Sequence, residues 1–237
     1  MYFHLIEPMP SQERRAAHEW VGGPYAEHQW LWRFFPAAPG SPRDFLFRRR
    51  DGEVVPKFYV VSQRPAQAPS GAWRIQSRAY APAVPAGTRL CFDLRANPVI
   101  THTVDDKRTR HDVVMEAKKQ LLVARGLARW EDWRPDQRTL DDRPDPRPPL
   151  YELVQSTCAA WLDKRAADHG FAVDAENLVV EAYRQHGGKK GQLRFSTVDF
   201  RGALTVIDPE KFAQALRNGI GPAKAFGCGL LLVRRAP

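Results

Sequence analysis

The chain has 237 residues, 43% of them hydrophobic, with 36 Lys and Arg against 27 Asp and Glu and a formal net charge of +9. That length carries one large domain or two small ones, and the basic balance favours a polyanionic partner. MYFHLIEPMP lacks the features of a secretion leader, no apolar run nears the roughly 20 residues of a bilayer span, and Cys91, Cys158 and Cys228 are too scattered for a disulfide frame or zinc site, so the sequence predicts a soluble, cytoplasmic protein with no membrane partner.

Residues 2–7 alternate as a short strand, and SQERRAAHEW reads as a helix start capped by Ser11. GGPYAEHQWLWRFF is a second helical stretch. DFLFRRR-DGE-VVPKFYVVSQ predicts a hairpin about Asp51-Gly52, with RRRDGE a turn and nothing more. GAWRIQSRA and TRLCFDLRA are further strands, and DVVMEAKKQLLVARGLARW is helical in composition. The charged, proline-rich 131–149 reads as a flexible insertion. YELVQSTCAAWLDKRAADHG is a helix that stops at Gly170. Three strand-like runs follow, FAVDAENLVVEAYRQ, QLRFSTVDF and ALTVID, the first two joined by HGGKKG. PEKFAQALRNG is a helix with Pro209 at its start and Gly219 just past its end. GLLLVRR is the last strand. This order, with the earlier LCFDLRA strand in front, is a split βαβ plan. The expected fold is therefore α+β, two tandem ferredoxin-like (RRM-like) domains, divided as 1–97 and 98–237.

Four glycines and Lys224 in GIGPAKAFGCGLL suggest a backbone close to a phosphate. Neither the Walker spacing nor the dinucleotide fingerprint fits, since Lys224 lacks its flanking Gly and Ser/Thr and a strand follows rather than a helix. Tight turns that need positive φ are the other reading. On the helix from Pro24, at 100° per residue, Ala26, Trp30, Leu31, Phe34 and Phe35 fill an arc from about 100° to about 280°. Tyr25, His28, Gln29, Trp32 and Arg33 occupy the other side. An imidazole, a phenol and a guanidinium are the parts for phosphodiester cleavage: two groups move protons and a cation steadies charge on phosphorus. YRQHGGKKGQLR carries Arg184, Lys189, Lys190 and Arg194 with no acid between the two arginines, a ribbon fit to follow a nucleic-acid backbone. DDKRTRH, with Lys107, Arg108 and Arg110, is a similar basic loop. Asp105-Asp106 and Asp141-Asp142 sit in loops, so no metal site is assigned and no cofactor is expected.

Together, PYAEHQWLWRFF, RLCFDLRANPV and LTVIDPEKFAQALRNGIGPAKAFGCGLLLV resemble the CasE family, the CRISPR repeat-RNA endoribonucleases of type I-E systems, nearly end to end. The resemblance implies two tandem ferredoxin-like domains and metal-independent cleavage of precursor CRISPR RNA at the 3′ base of the repeat hairpin. The 2′-hydroxyl would attack, leaving a 2′,3′-cyclic phosphate and a 5′-hydroxyl. The resemblance further implies that the enzyme keeps its product within Cascade with that complex's other subunits, and a monomer is expected outside it. By the same resemblance His28 is the catalytic histidine and Tyr25 its assistant, while Arg33 holds the place of a family lysine and supplies charge. RNA contacts are expected from Arg184, Lys189, Lys190, Arg194, Gly219, Gly221, Lys224, Lys107, Arg108 and Arg110. Two rivals stand beside this: a non-catalytic RNA-binding subunit of the same fold, and a protein-binding scaffold whose basic charge serves solubility.

Overall fold

The structure, a computed structural model, describes residues 1–20, 24–51, 55–133, 148–187 and 194–236. The first half builds β1 (Tyr2–Pro8), α1 (Glu13–Glu19), α2 (Pro24–Leu31), β2 (Phe45–Arg50), β3 (Lys57–Ser62) and β4 (Trp73–Ala79). Its strands lie in the order β2-β3-β1-β4, all antiparallel, which is the ferredoxin-like order. The second helix of such a unit is missing between β3 and β4. Pro65 and Pro69 lie there and deny the helix two N–H donors.

The second half builds β5 (Arg89–Ala96), β6 (Val99–Val104), β7 (Lys107–Asp112), α3 (Val113–Ala124), α4 (Leu150–Asp168), β8 (Phe171–Val173), β9 (Val179–His186), β10 (Phe195–Val206), α5 (Pro209–Asn218) and β11 (Leu231–Arg235). Its sheet runs β11-β5-β10-β8, with β9 also paired to β10 beyond β8, so the same fold recurs. β5 is an inner strand of this sheet, bonded to both β10 and β11. A domain boundary at residue 97 would cut β5 from its sheet; by strand membership the division falls within 80–88.

Each sheet is covered by helices whose apolar residues follow the 3.6 period. Trp30, Leu31, Phe34 and Phe35 are buried against Phe45, Phe47, Phe58 and Trp73. Phe212, Ala215 and Leu216 of α5 join Trp161 and Leu162 of α4 over Leu94, Phe200 and Leu204. Asp208 caps α5, accepting from the N–H groups of Glu210 (3.0 Å) and Lys211 (3.1 Å), and Gly219 ends it at φ +73°. No helix among the described residues is long and apolar enough to cross a membrane.

Several sequence expectations change. Gln12, not Ser11, occupies the N-cap of α1; Ser11 adopts φ 68° and its N–H donates to Glu13 Oε1. The described part of QLRFSTVDF and the start of ALTVID form one strand, β10, from Phe195 to Val206 across Gly202, whose hydrogen lets the carbonyl of Asn177 approach. FAVDAENLVVEAYRQ is instead two strands, β8 and β9, separated by a short turn at Ala175–Asn177. DDKRTRH is not a loop: β6 and β7 pair as a ribbon turned at Asp105 and Asp106, both at positive φ. Most of 131–149 lies outside the described residues.

The three arginines of RRRDGE do far more than form a turn. They belong to β2, and Arg48 is 2% exposed. Its guanidinium reaches Asp93 at 3.1 Å and Asp199 at 3.3 Å, two carboxylates of the other sheet. Arg95 grips Asp199 through two bonds of 2.7 Å, and Arg50 and Arg201 reach Asp93 at 3.0 and 3.2 Å. Four guanidiniums over two carboxylates thus seam the domains together. Around the seam Leu46, Val61 and Leu230 form a small apolar cluster.

Candidate functional site

His28 is half-buried on α2, and the arc that carries it is covered at His28 and Trp32 while Gln29 and Arg33 stay exposed. The short turn Lys224–Phe226 of the glycine loop packs on it. The imidazole lies among Trp32 (6.3 Å between ring centroids), Phe45 (6.3 Å) and Phe226 (6.4 Å). Its Nδ1 is withdrawn from solvent and bonds nothing among the described residues. Burial, and then the guanidinium of Arg43, push the His28 pKa below the ordinary histidine value. Burial and Arg43 likewise push Lys224 down. Thus Arg43, Lys224 and His28 converge from three separate parts of the chain.

Among the described residues no carboxylate pairs with Arg43 or Lys224. Glu27, next to His28, falls in the apolar arc of the helix; it is 4% exposed and turns to Arg49 at 2.6 Å. Asp44, next to Arg43, is held by Arg64 through bonds of 2.6 and 3.0 Å.

The glycines shape this meeting. Ile220 donates to the carbonyl of Gly229 (2.9 Å), closing the loop on itself, and Gly229 donates to Arg95 (2.7 Å). A side chain on Gly219 would meet the Gly229 carbonyl and Leu46 at 2.9 Å, and one on Gly227 would meet the Phe47 ring at 3.0 Å. The loop therefore wedges into the first domain and carries Lys224 and Phe226 to α2. Gly219 is buried and its N–H bonds Ala215 (2.8 Å), so it supports the loop and has no donor left for RNA. A side chain on Gly221 would lie 3.4 Å from the Trp161 ring.

An aromatic column continues outward. Phe226 stacks on Phe195 (4.8 Å) and Phe195 on His186 (4.7 Å), the last facing pair of the β9–β10 ribbon before its turn. Thr197 and His186 Nε2 are hydrogen-bonded at 2.9 Å. Arg184 and Arg194 are exposed on this ribbon; Lys189 and Lys190 lie outside the described residues. The second ribbon, β6–β7, exposes Lys107, Arg108 and Arg110 and is rooted alongside: Asp112 accepts from Ser196 and from the Tyr183 hydroxyl (3.0 Å).

Of the expected catalytic trio, His28 alone is placed by contacts. Tyr25 falls in the first turn of α2, three residues before His28, and its side chain lies outside the description. Arg33 is exposed in the turn Trp32–Phe34, and no contact joins it to His28 among the described residues. The cation beside His28 is Arg43, which nothing in the sequence marked. Phe226 was also missed, although an aromatic between Lys224 and Gly227 was its signal.

A half-buried imidazole, two cations without counterions among the described residues and two basic ribbons on a tandem ferredoxin-like frame define a protein built to hold a polyanion. The chain belongs to the family of CRISPR-associated proteins, whose profile matches residues 1–235. It is 29% identical over 219 residues to the CRISPR system Cascade subunit CasE of Escherichia coli, covering 91% of this chain and 94% of that one. It is 28% identical over 228 residues to the CRISPR-associated endoribonuclease Cse3 of Thermus thermophilus, covering 92% and 93%. In fold it matches Thermus thermophilus Cse3 bound to an RNA representing a pre-cleavage complex, with TM-score 0.66, 24% identity and coverage of 100% and 98%.

Proposed function

We propose that this protein is a CRISPR repeat-RNA endoribonuclease that cleaves precursor CRISPR RNA at the 3′ base of the repeat hairpin and stays with its product in Cascade. The observation that carries this reading is the half-buried His28 beside Arg43, with Lys224 on the turn that packs on its helix and no carboxylate paired with either cation among the described residues. A phosphodiester is the ligand such a site lacks.

The 2′-hydroxyl beside the scissile phosphate attacks phosphorus in line. The new bond is 2′-O to phosphorus, the bond that breaks is phosphorus to 5′-O, and the products are a 2′,3′-cyclic phosphate and a 5′-hydroxyl. His28, its pKa lowered by burial and by Arg43, is neutral at pH 7 and takes the 2′-hydroxyl proton. Tyr25, on the same helix face, is assigned the proton delivered to the leaving oxygen. With His28 and Tyr25 moving the protons and protein cations meeting the charge on phosphorus, the proposed mechanism is metal-independent. Arg184 and Arg194, with Lys189 and Lys190, grip the stem through its backbone and shape, since the deep narrow groove of A-form RNA hides the base edges. The relatives' names, a Cascade subunit and a CRISPR-associated endoribonuclease, support the same reading.

The test is single-turnover cleavage of the repeat hairpin of the source genome in EDTA, comparing wild type with His28→Ala and measuring binding in parallel. Wild type should cut, and the variant should bind yet cut about 10²- to 10⁴-fold more slowly. Tight binding by wild type without cleavage would instead make the protein a repeat-binding subunit.

A further inference from the structure

Cleavage as proposed needs a cation at the phosphate, and the sequence nominated Arg33, which is exposed and touches nothing at His28 among the described residues. Arg43 is the better-placed guanidinium. It lies two residues before Phe45, the first residue of β2, whose ring borders the His28 imidazole at 6.3 Å. One of its terminal nitrogens is withdrawn from solvent and has no hydrogen-bond partner among the described residues. A buried unpaired guanidinium donor is costly and calls for a partner.

The protein withholds that partner. Asp44 is adjacent in sequence, yet both of its oxygens are occupied by Arg64, which also donates to the carbonyl oxygens of Phe35 and Pro36. Glu27 is adjacent to His28, yet it is turned inward to Arg49. Lys224 arrives from the glycine loop as a second cation. Two carboxylates could have neutralised the pair, and each is committed elsewhere.

Resting on the endoribonuclease reading, we infer that Arg43 is a catalytic residue whose guanidinium, together with the Lys224 ammonium, binds the scissile phosphate beside His28. The planar fork of arginine fits two non-bridging phosphate oxygens, which a lysine cannot match. The charge it meets grows as phosphorus becomes five-coordinate, so the contact favours the transition state over the bound substrate. Arg43 also disfavours the imidazolium form of His28. The groups facing that ring are Trp32, Phe45 and Phe226; Arg43 is the cation that acts on it, Lys224 acts on Arg43 in turn, and Glu27 is turned away to Arg49.

Single-turnover cleavage of the repeat hairpin, measured from pH 5 to pH 9, tests this with Arg43→Gln and Arg43→Lys. Binding is followed with the same RNA carrying a 2′-deoxy nucleotide at the cut site, and folding by thermal melting. Arg43→Gln should lower the cleavage rate about 10²- to 10³-fold. Its binding of the deoxy RNA should weaken by no more than about tenfold. The acid limb of its pH profile should move to higher pH, because the cation that disfavours imidazolium is gone. Arg43→Lys should leave that limb in place and recover only part of the rate. Cleavage by Arg43→Gln at close to the wild-type rate with an unmoved limb overturns the inference, and so does full activity in a normally folded Arg43→Lys. If wild type binds the hairpin and leaves it whole, the endoribonuclease reading falls and Arg43's catalytic role falls with it; inactivity of the variants beside an active wild type supports both.

Discussion

His28 of α2 and Phe226 of the glycine loop face one another across the two domains, their ring centroids 6.4 Å apart. The contact joins a histidine of the first domain to a loop that belongs to the second. Phe226→Leu removes that ring and also breaks the stack on Phe195. A displacement of about 1 Å at a catalytic group can cost about 10²-fold. We expect cleavage to slow by about 10- to 100-fold while binding of an uncleavable hairpin is preserved; equal losses in both would show that Phe226 acts mainly on the RNA contact.

The pH dependence of cleavage follows from the surroundings of His28. Burial and Arg43 hold its pKa below the ordinary value of 6.5. As the general base it must be neutral, so the rate should fall as pH drops through this lowered value and be flat toward neutrality. A single-turnover profile whose acid limb lies at or above pH 6.5 would contradict the assignment.

The buried seam makes Arg48→Met informative. Arg48 is 2% exposed and bridges Asp93 and Asp199. Breaking a buried ion pair on one side costs about 3–5 kcal/mol. Here Arg50, Arg95 and Arg201 still hold the two carboxylates, so the lower end, about 3 kcal/mol, is expected. Urea unfolding measures it, and a loss below about 1 kcal/mol would show that the seam contributes little to stability.

Gly219→Ala should also destabilise. Its φ of +73° is strained for any residue with a Cβ, and that Cβ would lie 2.9 Å from the Gly229 carbonyl oxygen. The two effects together should cost about 2–3 kcal/mol in thermal or urea unfolding. Because the change also shifts the Lys224 turn, cleavage should fall even where the variant is fully folded.

Arg184→Ala and Arg194→Ala should each weaken hairpin binding and reduce the log–log salt slope by about 0.7–0.9. An unchanged slope would place the RNA elsewhere than on the β9–β10 ribbon.

The sequence made some of this legible and hid the rest for physical reasons. α5 is announced locally by Asp208, Pro209 and Gly219, which all act within a few residues. His28 stood out because a 3.6-residue period separates Trp30, Leu31, Phe34 and Phe35 from the opposite arc. Arg43 could not be found that way. Its role depends on Asp44 being taken by Arg64 and on Lys224 arriving from a distant stretch of the chain. Arg48 was misread because FLFRRR looks like a strand running out into a turn, whereas Asp93 and Asp199 come from distant strands. Gly202 looked like a break between two strands, yet it is the position in β10 where another backbone comes close.

The position of the glycine loop after α5 has a consequence for biosynthesis. β11 completes the second sheet by pairing with β5, and the loop just before it delivers Lys224 and Phe226 to His28. On the ribosome, His28 emerges nearly two hundred residues ahead of these companions. A nascent chain that has been made only as far as α5 displays the histidine without the second cation or the ring that configure it. On the endoribonuclease reading, the fully configured site therefore forms only once the chain has been made through β11.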